Sequence, residues 1–181
     1  MENSLSPLID RLDIVCFAWS PEQRFCLWFS GETDGFLTEG GSLRVFPSTD
    51  AARAYVQLHP DLPCAASVVT YDLDRTWRMA RGQEPPDPGL ALEIWNITTD
   101  LAESIGAAFT GSRRDALTDH IYEKLFYGSN LPAVNRSGKH YTPLFTPAER
   151  KRLLEILTDC HVLIRRSCFP SPENPPPPRR R

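Results

Sequence analysis

The residues best suited to chemistry are two aspartates, Asp72 and Asp74, in the segment YDLD. They follow a run of strand character and are two residues apart, so both carboxylates can project to one side of the chain. Paired carboxylates can hold a divalent cation, or share the acid and base roles of a hydrolase or transferase. An aspartate after a strand also commonly begins a turn or caps the next helix, here in DRTWRMA, and we favour the cap for this pair.

The other residue types that support catalysis or metal binding lack the spacing that such sites need. No two of the four histidines are four residues apart, so we expect surface or partly buried histidines and no metal site. The five cysteines form no C-x-x-C pair, and Cys16 and Cys26 lie in apolar runs, where we expect reduced, structural thiols. Ser104 has no nucleophile elbow around it, and GETDGF lacks the lysine of a phosphate loop. The sequence therefore favours a protein that is not an enzyme and holds no cofactor.

Charge and hydropathy argue against two classes of partner. The chain has 20 basic and 23 acidic residues and a net charge of -3, so it lacks the basic excess that binds nucleic acid. No apolar run approaches the roughly 20 residues that span a bilayer. The segment from Met1 to Asp10 carries acids where a signal peptide has basic and then apolar residues. We expect a cytoplasmic protein that binds neither nucleic acid nor membranes.

The first half of the chain predicts strands that would position these residues. LDIVCFAW (12–19) and RFCLWFS (24–30) are rich in β-branched and aromatic residues and are separated by SPEQ, which predicts a hairpin. A glycine-rich loop leads to another short run at Leu43 to Phe46, after which Ser48 begins a short amphipathic helix. Ala66 to Tyr71 returns to strand character, and a connection through a helix places it in the same sheet.

The second half of the chain predicts helices. After the proline-rich linker Gly82 to Gly89, an apolar stripe at spacings of three and four runs from Leu90 to Phe109. A second helix, Arg114 to Phe126, stops at Gly128. A third begins at TPAE (146–149), which supplies an N-cap, a proline at the first helical position and a capping box.

Together these elements predict an α+β fold, in which an N-terminal, mostly antiparallel sheet with one short helix packs against a C-terminal group of three helices. We expect residues 1–169 to form a single domain, sheet-rich over 10–80 and helical over 90–169, since 181 residues suit one core. The alternative is two loosely coupled lobes joined at Gly82 to Gly89. The remaining segment, PSPENPPPPRRR (170–181), has little to bury and predicts a disordered tail.

A long connection of about 19 residues, 127–145, joins the last two predicted helices and exceeds the usual length of such a connection. One interpretation is structural: apolar side chains of the loop fold back on the core, and asparagines bond backbone groups that the loop would otherwise leave unpaired. The residues concerned are Tyr127, Leu131, Val134, Tyr141, Asn130 and Asn135. The other interpretation is functional, because tyrosines beside adaptable polar groups are typical of a recognition surface. We expect the loop to serve both purposes.

Four phrases, TYDLD, IWNITTDLAESI, IYEKLFYGSNLPAV and GKHYTPLFTPAE, resemble in this order a pattern in uncharacterised bacterial proteins associated with immunity proteins of polymorphic and contact-dependent toxin systems. The resemblance covers roughly Ser67 to Leu157. It implies a small cytosolic protein that blocks a cognate toxin domain by binding it, without chemistry of its own. The alternative function is a divalent-metal-dependent hydrolase or transferase that uses Asp72 and Asp74.

A binding role makes two loops the candidate interface. The first is the 135–141 segment, where we expect aromatic and arginine side chains to act as anchors and the other charges to lie at the periphery. The second is the acidic, glycine-rich loop before residue 40. The candidate partner-binding residues are Arg136, Lys139, His140 and Tyr141 in the first loop and Glu32, Asp34 and Glu39 in the second.

Overall fold

The predicted N-terminal hairpin is present and forms the centre of a sheet. Strand β1 (Ile9–Trp19) pairs antiparallel with β2 (Glu22–Gly31). The computed structural model describes residues 9–133, 138 and 140–170. The predicted tail beyond Pro170 therefore lies outside the described residues, as do Val134, Asn135, Arg136 and Lys139.

Two further strands extend the hairpin: β3 (Gly35–Phe36) pairs antiparallel with β2, and β6 (Ala65–Asp72) pairs parallel with β1. The main sheet therefore has four strands in the order β3-β2-β1-β6. The parallel pairing follows the predicted crossover through helix α1 (Thr49–Gln57), for which Ser48 is the N-cap. A separate hairpin of β4 (Thr38–Glu39) and β5 (Ser42–Leu43) replaces the longer strand predicted at 43–46.

Three helices form the second half, as predicted: α3 (Pro88–Ile105), α4 (Ala116–Gly128) and α5 (Pro147–Cys168), with a short 3-10 turn at Thr110–Ser112. A fourth helix, α2 (Leu73–Ala80), lies within the segment 10–80 that was predicted to be sheet-rich, and it packs with the other three. The capping box of α5 is confirmed. Helix α3 ends four residues before the predicted Phe109, because Gly106 adopts a left-handed conformation (φ 64°) that terminates it. In the described part of the chain, no helix is both long and apolar enough to cross a membrane.

Strand β1 is buried on both faces of the sheet, which explains its continuous apolar run. Val15 and Phe17 pack with residues of α2 to α5 on one face, and Ile14 and Cys16 pack with α1 on the other. Successive side chains of a strand point to opposite faces, so the same strand builds both cores. The molecule is therefore an α+β fold, with one short helix on one side of a mixed sheet and a helical group on the other.

Candidate functional site

The two aspartates of the YDLD segment have structural roles. The Asp72 carboxylate accepts the backbone N–H of Arg75 at 2.9 Å and is the N-cap of α2, as predicted. The Asp74 carboxylate accepts the backbone N–H of Ser20 at 2.9 Å and so fastens the β1–β2 turn to α2. Within residues 9–133, 138 and 140–170, no group of three His, Cys, Asp or Glu side chains is arranged to hold a metal ion.

We expect Mg²⁺ or Mn²⁺ at millimolar concentration to leave the melting temperature unchanged, because both carboxylates are already engaged with backbone donors. Asp72→Ala removes the cap and costs about 1 kcal/mol of unfolding free energy. Asp61→Ala, at an exposed position outside any described helix, serves as the control. Thermal melting with and without the cation checks this. A metal-dependent rise in melting temperature that Asp72→Ala abolishes would favour the metal-dependent enzyme.

A groove of about 620 Å³ lies between α3, α4 and the β2–β3 side of the sheet. Helix α3 contributes Glu93, Asn96, Asp100 and Glu103, whose spacings of three and four put them on one face of the helix. Asp34 also lines the groove. We call this cavity the acidic groove. Its fifth carboxylate is that of Asp119. Its aromatic lining residues are Trp28, Tyr71, Trp95 and Tyr122.

The electrostatics of the acidic groove are those of a site for a cationic group. Burial, and then the charges of Asp34 and Glu103, raise the pKa of Asp100, while a hydrogen bond from the Trp28 indole N–H at 2.9 Å lowers it. Burial first, and then the charges of Glu93 and Asp100, raise the pKa of Tyr71 to about 12. A basic side chain placed in the groove would relieve the repulsion among these carboxylates.

The acidic loop expected to act as one surface is divided by the fold. Asp34 lines the acidic groove, whereas Glu39 forms an ion pair with Arg44 on the β4–β5 hairpin. Glu32 is exposed at the end of β2. The carboxylates of α3 were not among the predicted site residues, although an acidic or amide residue at every third or fourth position of the predicted helix is the signal that marks them.

The predicted packing of the 127–145 loop onto the core is wrong for the tyrosines and leucine that are described. Tyr127, Leu131 and Tyr141 expose 55%, 48% and 42% of their surface. The predicted role of Asn130 is confirmed: its amide nitrogen donates to the carbonyl of Tyr141 at 2.9 Å, and its amide oxygen accepts the Tyr141 N–H at 2.8 Å. The loop is thus tied to the end of α4 while its apolar side chains face outward.

These outward side chains form the largest concentration of exposed apolar groups in the described residues. Seven large hydrophobic side chains are exposed there, and five of them fall between residues 126 and 144. We call these five the apolar patch: Phe126, Tyr127, Leu131, Tyr141 and Leu144. Exposed apolar groups clustered in this way commonly mark a binding site. The candidate site therefore has two parts, the acidic groove and the apolar patch.

Two contacts hold the apolar patch in place. The Lys124 ammonium donates to the Leu144 carbonyl at 2.8 Å and to both carboxylate oxygens of Glu149 at 2.8 Å. Gly128 lets the Pro143 ring pack closely, since a Cβ at Gly128 would lie 2.9 Å from it. The backbone at Leu144 and the ring of Pro143 are therefore held against the end of α4.

The acidic groove and the apolar patch are adjacent. Asp119, Tyr122 and Phe126 follow one another on α4 at spacings of three and four, so they share one face of that helix. The Tyr122 hydroxyl donates to Asn96 of α3 at 3.0 Å, which closes the groove at this end. His140 is exposed beside Tyr141. The acidic groove and the apolar patch therefore meet along one face of α4.

Comparison with family models, with curated proteins and with solved structures found no match for this chain.

Proposed function

We propose that this chain is a cytoplasmic protein-binding module, specifically an immunity protein that neutralises a cognate bacterial toxin by direct binding. The observation that supports it most is the apolar patch next to the acidic groove. Protein interfaces combine aromatic anchors with a polar, charge-complementary surround, and this surface supplies both.

The apolar patch has the features of an energetic centre for such an interface. Two of its five members are tyrosines and one is a phenylalanine, and the rings of Phe126 and Tyr127 meet edge to face with their centroids 5.7 Å apart. Aromatic side chains bury much area and lose little rotamer freedom. The backbone at Tyr141 and Leu144 is already held by Asn130 and Lys124, so less ordering free energy opposes binding at these two residues.

The acidic groove specifies the charge of the partner. Five carboxylates line it, against the single guanidinium of Arg114 among its described lining residues. A partner that inserts a lysine or arginine gains a desolvated ion pair, and the negative field accelerates encounter with a basic surface. We therefore propose that the toxin domain presents a basic surface to this chain.

We expect Tyr127→Ala and Tyr141→Ala each to weaken binding to the toxin domain by about 2 kcal/mol, roughly thirtyfold in Kd, while the fold stays intact. The reason is that each substitution removes an exposed aromatic anchor that contributes nothing to the core. The probe is the toxic domain encoded next to the gene for this chain, and the measurements are titration calorimetry and survival of cells that express the toxin. We place Arg136 and Lys139 among the contacts to be tested in the same way.

Leu58→Ala is the matched control, because Leu58 exposes 79% of its surface away from the apolar patch and should leave the affinity unchanged. Glu103→Gln separates the two halves of the site: it should reduce the association rate at low salt and have little effect at high salt. Unchanged affinity in both tyrosine variants would show that the apolar patch is not the interface with the toxin domain. If no toxin gene lay next to the gene for this chain, the proposal that the chain is an immunity protein would be wrong.

A further inference from the structure

The four-stranded sheet has two edges, and the fold protects only one of them. At the first edge, β3 is two residues long, and its Phe36 N–H donates to the Ser104 hydroxyl of α3 at 2.8 Å. Helix α3 packs closely there, since a Cβ at Gly35 would lie 3.0 Å from the same hydroxyl oxygen. A short edge strand that a helix covers offers little for another strand to pair with.

The opposite edge is β6, which is eight residues long and open. In the part of the chain that the structure describes, no backbone hydrogen bond joins residues 68–71 to any element except β1. No other described helix or strand packs extensively on β6. Alternate residues of such a strand point their N–H and C=O groups outward, where these groups can bond a further strand.

The sequence of β6 lacks the features that prevent an open edge from pairing. Natural edge strands are protected by lysines, prolines or bulges. Strand β6 reads AASVVTYD, with no lysine, arginine or proline, and Asp72 is its only charged residue. Its one irregularity in register with β1 lies between Ala65 and Val68, so residues 68–72 form a regular strand. This regular part is a template for strand pairing.

The regular part of β6 is complementary to itself when two copies pair antiparallel about a two-fold axis at Thr70. Thr70 then lies opposite its own copy. Val69 lies opposite Tyr71, and Val68 lies opposite Asp72. Threonine pairs, and pairs of a β-branched with an aromatic side chain, are among the cross-strand pairs that stabilise a sheet. No like charges face each other, because the one charged residue lies opposite a valine.

The exposure of the side chains agrees with a missing neighbour at this edge. Val68 and Thr70 lie on the α1 side of the sheet and are exposed, Val68 over 42% of its surface. Ile14 and Cys16, their neighbours on β1, are buried against α1. Helix α1 therefore covers β1 and leaves this part of β6 uncovered. A strand added at the edge would cover part of the Val68 side chain.

We propose that two copies of this chain pair through β6 in antiparallel orientation, which joins their two sheets into one continuous sheet. A two-fold dimer uses the same patch on both subunits, and an edge strand that is its own complement meets that condition. The proposal goes beyond toxin binding and does not depend on it, since the pairing atoms are backbone groups of β6.

The dimer brings two acidic grooves towards each other, because Tyr71 of the pairing strand also lines the groove. Repulsion between the carboxylates of the two grooves opposes the pairing, and salt screens this repulsion. We therefore expect the dimer to be tighter in about 0.5 M sodium chloride than in about 0.05 M.

The test is sedimentation equilibrium of the full chain over a range of concentrations. The unaltered chain should show a reversible equilibrium between monomer and dimer. Thr70→Lys and Thr70→Glu should each weaken the dimer roughly tenfold or more, since each places like charges directly opposite across the axis. An equimolar mixture of the two variants should recover a dimer, because a lysine then faces a glutamate.

Leu58→Lys and Leu58→Glu are the matched controls, because Leu58 is an exposed residue outside β6 and should leave the dimer unchanged. Circular dichroism checks that each variant folds. Hydrogen exchange gives a second measurement. In the dimer, consecutive amides of residues 68–71 should be protected, whereas a strand bonded on one side protects alternate amides.

Four results would overturn the proposal. One is a chain that stays monomeric up to about 1 mM. Another is a dimer that both Thr70 variants leave unchanged, or that Tyr127→Ala abolishes, since such a dimer uses a different surface. A monomer with consecutive protected amides in residues 68–71 would show that another segment of the same chain occupies the edge. Protection that appears only with the toxin domain would assign the edge to that partner.

Discussion

Replacing Lys124 with methionine should lower the free energy of unfolding by roughly 3 kcal/mol or more at neutral pH. The Glu149 side chain is almost fully buried, and the Lys124 ammonium bonds both of its oxygens at 2.8 Å. Methionine fills a similar volume but leaves the carboxylate buried without its counter-ion, and loss of one member of a buried pair is strongly destabilising. Chemical denaturation measures the change.

The pH dependence of the same variant makes the prediction specific. Hydrogen bonds from Lys124 and from the Thr146 backbone hold the pKa of Glu149 down to about 2. Its contribution to stability is therefore complete above about pH 4.5 and is lost as the pH falls towards 2. Lys124→Met should lose much of that acid sensitivity. Lys151→Met, an exposed lysine in α5, is the control, and equal stability of the two variants would contradict a structural role for the ion pair.

Lowering the pH from about 6.5 to 4 should cost the protein about 3 kcal/mol of unfolding free energy through His161 alone. His161 is buried between Trp77 and Trp19, with ring centroids at 4.4 and 4.6 Å. Burial first, and then the charge of Arg165, lower its pKa to about 4, and Asp74 opposes this with a smaller effect. An unfolded chain binds the proton near pH 6.5, so the unfolded state gains protons first and stability falls with pH.

His161→Phe tests this contribution directly. The ring stays apolar at every pH, so the variant should be more stable than the unaltered chain at pH 4. At pH 7 it should be less stable by up to about 1 kcal/mol, because it loses the hydrogen bond of the ring with the Leu73 backbone, whereas Nδ1 has no partner among the described residues. His120→Phe, at an exposed position of α4, should keep the original pH dependence. Unfolding by denaturant at several pH values gives both curves. Identical pH dependence of His161→Phe and the unaltered chain would exclude His161 as the titrating group.

Local physics makes the helices and strands of this chain predictable. Ser48 and Thr146 cap helices because their hydroxyls accept backbone N–H groups three residues on, and such caps are determined within one turn. The β1–β2 hairpin likewise follows from two adjacent runs with a short turn. The role of Asp72 as a cap belongs to the same class of short-range effect.

Only the tertiary structure decided which of these elements meet. Asp34 and Asp100 are distant in sequence and converge because β3 and α3 lie side by side. His161 is buried because Trp77 of α2 stacks on its ring and Trp19 of β1 packs against it at a tilt. The outward orientation of Tyr127 follows from its place on α4, and Tyr141 is held in place by the hydrogen bonds of its backbone with Asn130. Hydrophobic periodicity and helix capping act over one or two turns of the chain, and they therefore specify individual helices and strands. The acidic groove and the apolar patch arise from contacts between elements, and these depend on packing that no local pattern contains.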